Sequence, residues 1–197
     1  MVSLTKNEAR TINFLIRNFS ENYNINQLSR ELKISPRGIF KILKKLEEQR
    51  YLISNKQGNN IFYKINYDSE EALDVCKFAL IDKETTPYIK VVIKDIEGLK
   101  SKTDLAILFG SILKKGKEAR DIDLLIVFDK KNLKRIEKII DNVNKIRTKK
   151  IHSIYQTKED LAKNIKDKDA AILDEIKTGI VLWRRSLLVE LIKNAQN

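Results

Sequence analysis

Two short apolar runs, residues 105–109 and 122–128, bracket a Gly-Ser pair and an Asp-x-Asp, and no other stretch of the chain restricts the fold as tightly. The first run reads as a buried strand through Ile107, Leu108 and Phe109 that ends in a sharp turn at Gly110 and Ser111. A basic helical or loop segment follows, and a second apolar strand carries Asp121 and Asp123. Side chains two apart on a strand share a face, about 6.6 Å apart along the chain. Both carboxylates are therefore expected to project together beside the turn. Gly110 lets the backbone come close to a ligand where a Cβ would obstruct it. Ser111 and Ile112 are expected to open a helix whose unpaired N–H groups and positive dipole end suit a triphosphate. Two carboxylates facing such a phosphate would share Mg²⁺, a hard cation that takes oxygen ligands and keeps bonds to substrate phosphates. With two ions they would flank an in-line phosphoryl transfer.

The pattern Gly110-Ser111, Gly116, then Asp121-Ile122-Asp123-Leu124-Leu125-Ile126-Val127 resembles the signature of the polymerase β-type nucleotidyltransferases, in particular the minimal nucleotidyltransferase branch. The resemblance covers roughly the C-terminal half. It implies Asp121 and Asp123 as catalytic and metal-binding residues, Gly110 and Ser111 as nucleotide-binding, Mg²⁺ as cofactor and an NTP as substrate or ligand. Active members usually supply a third carboxylate from the next strand, which here falls at residues 150–156, KIHSIYQ, and contains no acid. His152, the only histidine, is the nearest polar residue. A neutral imidazole fits softer metals better than Mg²⁺, and His152 is expected to pack or cap. Glu159 and Asp160 lie beyond a turn at Thr157 and Lys158, with Thr157 as the N-cap of the next helix.

The N-terminal third has a different rhythm. Residues 4–19 place Ala9, Ile12, Phe14, Leu15, Ile16 and Phe19 at mostly helical spacing, with Thr5 and Glu8 forming a capping-box pattern. Leu28 and Leu32 share one face of a helix over residues 27–33. Ser35-Pro36 reads as N-cap and N1, opening a third helix to about Gln49 that buries Ile39, Leu43 and Leu46. Residues 51–53 and 61–65 read as a β-hairpin with Gly58-Asn59 near its tip. Over residues 3–66 this order resembles the winged helix-turn-helix family, in which the third helix lies in the major groove. The resemblance places Ser35, Arg37, Gly38, Lys41 and Lys44 near the groove and Lys45 nearer its edge. Lys56 and Gln57 on the wing would reach phosphate or minor groove. Arg50 stands where the family commonly has a glycine in a left-handed cap, so the bend there is expected to be strained or made differently.

Charge agrees with a polyanionic partner. The formal net charge is +12 at pH 7, and two basic blocks, residues 1–66 and 105–197, flank an acidic one. No apolar run approaches the ~20 residues of a membrane span, and no signal-peptide core opens the sequence, so a cytoplasmic location is expected. Cys76 has neither a disulfide partner nor metal-ligand companions and is expected to be a buried helix residue.

Residues 67–82 read as a connecting helix capped by Asp68 or Ser69, with Leu73, Cys76, Phe78 and Leu80 as its apolar members. Residues 83–87 read as a linker, and Pro87 starts a helix to about Lys100 that buries Val91, Val92, Ile93, Ile96 and Leu99. Beyond Phe128 come a periodic helix over residues 133–146, the strand with His152, helices from about Lys158 and Asp169, a strand at residues 180–183 with Trp183 as a packing residue, and a closing helix. The expected fold is α/β (α+β). An N-terminal winged helix-turn-helix, residues 1–66, precedes a connector, residues 67–87, and a nucleotidyltransferase-like domain, residues 88–197, with a short mixed sheet covered by helices. The expected function is a DNA-binding transcriptional regulator, a homodimer on double-stranded DNA, whose second domain binds Mg-NTP and transfers a nucleotidyl group. The resemblance extends to antitoxins that nucleotidylate a partner toxin protein. The alternative is a non-catalytic DNA-binding protein whose second domain serves dimerisation or ligand sensing. A third reading, an RNA-modifying transferase, also stands at this point.

Overall fold

The computed structural model describes residues 4–81 and 85–196 and divides into two compact units on either side of residues 81 and 82. Residues 83 and 84 of the expected linker lie outside the described residues.

In the first unit, α1 (Lys6–Arg17) begins at a reciprocal capping box: Thr5 Oγ1 accepts from the Glu8 N–H, and the Glu8 carboxylate accepts from the Thr5 N–H. A two-residue strand, β1 (Tyr23–Asn24), was not evident in the sequence and leads straight into α2 (Ile25–Leu32). Asn24 caps that helix in a second capping box with Gln27, so α2 starts two residues before the apolar spacing suggested. After a left-handed Lys33, Ser35 caps α3 (Pro36–Glu48) by accepting from the Gly38 N–H. Ile39, Leu43 and Leu46 are buried at i, i+4 and i+7, as their spacing requires. Arg50 then takes the left-handed conformation, φ 60°, while the Tyr51 N–H returns to the Leu46 carbonyl in a Schellman-type closure. The Asn66 amide donates to the Arg50 carbonyl. The family's glycine geometry is therefore kept without its glycine. The wing is β2 (Leu52–Gln57) antiparallel to β3 (Asn60–Ile65), with β1 on the other edge of β3. Gly58 at φ 60° starts its two-residue turn, which is the type II′ solution for a tight hairpin.

Helix α4 (Glu70–Ala79), capped by Ser69, was expected as a connector but packs on α1 within this unit. The Asn13 amide donates to the Ala79 carbonyl. Its buried face is Ala72, Val75, Cys76 and Ala79, so Cys76 is buried as expected. Phe78, one of the apolar residues expected in this helix, is 44% exposed. One step in helical phase separates it from Ala79.

The second unit opens with α5 (Pro87–Asp95), capped by Thr86, and a 3-10 turn at Glu97–Ser101. Ile89 and Val92 are its buried residues while Val91 points outward; a run of adjacent apolar residues leaves the helical face ambiguous until packing selects it. The sheet comprises β4 (Leu105–Phe109), β5 (Ile122–Val127), β6 (Ile151–Gln156) and β7 (Ile180–Trp183), in the order β6-β5-β4-β7. Strands β5 and β6 are parallel and the other pairs antiparallel, so the sheet is mixed. One face carries Ala106, Leu108, Ile122, Leu124 and Ile126, and packs with Ile89 and Val92 of α5 and Ile136, Ile140 and Val143 of α7 (Leu133–Ile146). Trp183 joins this cluster and donates from Nε1 to Thr103 Oγ1 at 2.9 Å, the packing role its apolar strand implied. By strand alternation Ile107 and Leu125 face the other side, where α9 (Ala170–Thr178) and α10 (Arg185–Gln196) lie against β4 and α8 (Lys158–Lys166) lies against β6. Thr157 caps α8 as expected. No helix of the described residues is long and apolar enough to cross a membrane.

The left-handed Arg50 yields a direct prediction. A Cβ in that conformation costs about 1 kcal/mol relative to glycine, so Arg50→Gly is expected to raise the urea midpoint of unfolding by an amount corresponding to about 1 kcal/mol. An unchanged or lowered midpoint would contradict the strain.

Candidate functional site

The chemistry-bearing residues of the second unit gather at one end of β4 and β5. Phe109 is paired with Asp123 across the antiparallel ladder, so the turn that follows Phe109 falls beside Asp121. Gly110 adopts φ 80°, and a Cβ built on it would collide with the Asp123 carboxylate. No side chain larger than glycine's hydrogen fits between this backbone and that acid. Ser111 and Ile112 open α6 (Ile112–Lys115), but this helix is one turn long and passes through Gly116 into a 3-10 turn. The expected helical anion site is thus reduced to a single turn. Asp121 lies just ahead of β5 rather than on it, and Asp123 is the second residue of the strand.

His152 is placed differently from expectation. It neither packs nor caps. Parallel pairing of β5 with β6 sets it opposite Asp123, its side chain is 66% exposed, and its Nδ1 lies 3.3 Å from Asp121 Oδ2. Donor atoms of Asp121, Asp123 and His152 all fall within 4.8 Å of one another. Burial raises the Asp123 pKa above the usual carboxylate range, the Asp121 charge raises it further, and His152 opposes both. A divalent cation suits this donor set, two carboxylates and an imidazole, because it would offset the crowded negative charge.

Sequence reasoning missed Glu175. This α9 carboxyl is 5% exposed, and its Oε2 has no hydrogen-bond partner among the described residues. Burial pushes its pKa up to about 7, with further contributions from Asp169, Asp174 and Asp123. The available signal was its phase: Glu175 lies three residues after Ile172, on the stripe that α9 buries.

In the first unit, Ser35 and Gly38 form the N-terminal cap of α3, and Arg37, Lys41 and Lys44 follow as an exposed stripe at i, i+4 and i+7 opposite the buried one. Lys44 pairs with Glu47 at 2.9 Å. Lys45 is committed to the fold, since its ammonium lies 2.7 Å from the buried Glu8 carboxylate. Burial alone would raise the Glu8 pKa, but Lys45 and the Thr5 N–H outweigh it and hold the group below its usual range. Lys56 and Gln57 are exposed near the wing tip.

The geometry of each unit defines a class: a winged helix-turn-helix and a small mixed sheet with a Gly-Ser turn facing an Asp-x-Asp. Residues 92–186 match the family model described as Polymerase beta, Nucleotidyltransferase, and with the sheet and turn above, the chain joins a winged-helix unit to a nucleotidyltransferase-like unit. No curated protein matches the sequence. Among solved structures, a point mutant of Lactococcus lactis ZitR is 26% identical, with 52% of this chain and 65% of that chain covered at a TM-score of 0.35. The same organism's ZitR, described as a zinc-responsive MarR family member, is 26% identical over 51% of this chain and 76% of that one, TM-score 0.33. A further ZitR structure is a complex with DNA, at 23% identity and TM-score 0.33. The present chain spans less than two thirds of the first of these. With TM-scores this low, the winged-helix description rests on the elements themselves.

Because Glu175 is held protonated more firmly in the folded chain than in the unfolded one, its ionisation works against folding. The cost is absent below the unfolded pKa, grows as pH rises, and is complete above about 7. Glu175→Gln is therefore expected to be more stable than the parent at pH 8, by about 3 kcal/mol, with the difference vanishing near pH 4. Thermal unfolding at the two pH values decides it, and a variant less stable at pH 8 would contradict the reading.

Proposed function

We propose that the chain is a DNA-binding regulator whose second unit binds a nucleoside triphosphate with a divalent cation and transfers its nucleotidyl group. The observation that carries this reading is the approach of the Gly110 backbone to Asp123, with Asp121 and His152 at the same edge. Gly110 and Ser111 would position the triphosphate, and Asp121 and Asp123 would hold the cation, Mg²⁺ on the family resemblance. When bound, the cation would supply neutralisation of the phosphate charge that grows as pyrophosphate departs. An acceptor hydroxyl oxygen would bond to the α-phosphorus as the α–β bridge breaks, its proton passing to solvent. A protein acceptor, including a partner toxin, is compatible with this chemistry. The absence of an acid on β6 favours a second reading, in which the unit senses a nucleotide without transferring it.

For DNA, Arg37 and Lys41 on α3 and Lys56 on the wing have no ion pair among the described residues and are the proposed phosphate or base contacts. Two copies would engage a two-fold operator. Ser35 and Gly38 would present backbone at the start of α3, Lys44 and Gln57 would assist from the flanks, and Lys45 would act through the fold by its pair with Glu8.

Two outcomes are expected. With α-labelled ATP and a divalent cation, the parent chain should label an acceptor in cell extract, and Asp121→Asn/Asp123→Asn should label none. Metal-dependent ATP binding without labelling would select the sensing reading, and no binding of any NTP at millimolar concentration would remove both. Separately, Arg37→Ala and Lys41→Ala should each weaken duplex DNA binding and reduce the log-log salt slope by about 0.9 for every phosphate that is no longer neutralised. Lys45→Ala should chiefly lower stability. Unchanged DNA affinity and salt slope in both variants would contradict this placement of α3.

A further inference from the structure

We propose that His152 is the third protein ligand of the cation held by Asp121 and Asp123, and that this mixed donor set makes the site select Mn²⁺ over Mg²⁺. The inference rests on the metal–nucleotide reading above and deepens it. Parallel register places His152 directly opposite Asp123 on the neighbouring strand, so an imidazole stands where a third carboxylate would complete an all-oxygen set. Two neighbouring donors on an octahedral ion with bonds of about 2.1 Å lie about 3 Å apart. His152 Nδ1 and Asp121 Oδ2 are 3.3 Å apart, close to that spacing. A donor atom of Asp123 falls with both of them inside 4.8 Å. The His152 side chain is exposed, so rotation about its own bonds can bring the three atoms onto one ion without moving the sheet.

An independent observation points to the same occupant. Glu175 is almost fully buried on the helix that packs against β4, its Oε2 has no partner among the described residues, and the charge of Asp123 acts on it. Asp123 is thus linked electrostatically to Asp121 on one side and to a buried, unpartnered carboxyl on the other. A cation held by Asp121 and Asp123 would relieve that crowding of carboxyls.

The choice of metal follows from the donors. Mg²⁺ prefers oxygen in strict octahedral geometry and keeps its waters, whereas imidazole belongs with transition metals. Zn²⁺ is met mostly in four-coordinate sites, which leave too few positions for three protein ligands together with the oxygens of a triphosphate. Mn²⁺ takes carboxylate, phosphate oxygen and imidazole together in six-coordination.

The test uses the full chain with Mn²⁺ as the probe and a non-hydrolysable ATP analogue present or absent. Mn²⁺ affinity is read from the free-ion electron paramagnetic resonance signal, Mg²⁺ affinity from competition, and ligation from pulsed-resonance coupling to ¹⁴N. The parent should show ¹⁴N coupling and prefer Mn²⁺. His152→Ala should lose the coupling and about tenfold in Mn²⁺ affinity. His152→Asp should also lose it, and should lower the ratio of Mn²⁺ to Mg²⁺ affinity about tenfold by restoring an oxygen donor. Cation binding without ¹⁴N coupling, or an affinity ratio that is the same in all three chains, would overturn the role of His152 and leave the metal–nucleotide reading standing. Failure of both cations to bind any of the three chains, with or without the analogue, would overturn that reading and this inference together.

Discussion

The second unit depends on one close approach, the Gly110 backbone against the Asp123 carboxylate. Everything around it serves to hold that contact. The apolar side chains of β4 and β5 fix the register that pairs Phe109 with Asp123. The positive φ of Gly110 turns the chain at the strand end, and the absence of a Cβ lets an acid stand where a side chain would otherwise be. A close-packed sheet with helices against both faces supplies the rigidity, because its core has no room for the register to slip without moving apolar residues into water. The cost is a carboxylate partly withdrawn from solvent beside a second carboxylate, and the raised Asp123 pKa is its electrostatic mark.

The first unit is organised by caps as much as by core. Thr5 with Glu8, Asn24 with Gln27, and Ser35 each satisfy helix-start donors that have no partner within the helix. Glu8 does more than cap, since its pairing with Lys45 ties α1 to α3. That bond removes one lysine from the set available to a polyanion. It also shows why a count of basic residues on a helix overstates its free charge.

Most of the fold could be read from the sequence because its signals are local. The strict spacing of Ile136, Ile140 and Val143 set α7, and Ser35-Pro36 set the start of α3. What escaped was whatever depends on partners distant in the chain. The two-residue β1 exists only because Tyr23 and Asn24 pair with Tyr63 and Phe62. Val91 was expected on the buried face and lies outward, since runs of adjacent apolar residues fit more than one helical phase. In the candidate site, Gly110, Ser111, Asp121 and Asp123 were legible as a motif. The position of His152 was not, because it depends on β6 pairing parallel to β5 with Asp123 opposite it. Glu175 was harder to see: its phase with Ile172 put it on the stripe that α9 buries, but a lone glutamate there gains its meaning only once α9 is laid on the sheet.

If the Gly110 turn and the acids beside it form a phosphate site completed by a divalent cation, nucleotide binding must depend on that cation. Calorimetric titration of ATP into the parent chain, once with a divalent cation and once with chelator, tests this most directly. Saturable binding only when the cation is present is the predicted result; equal binding in both conditions, or none in either, would contradict it.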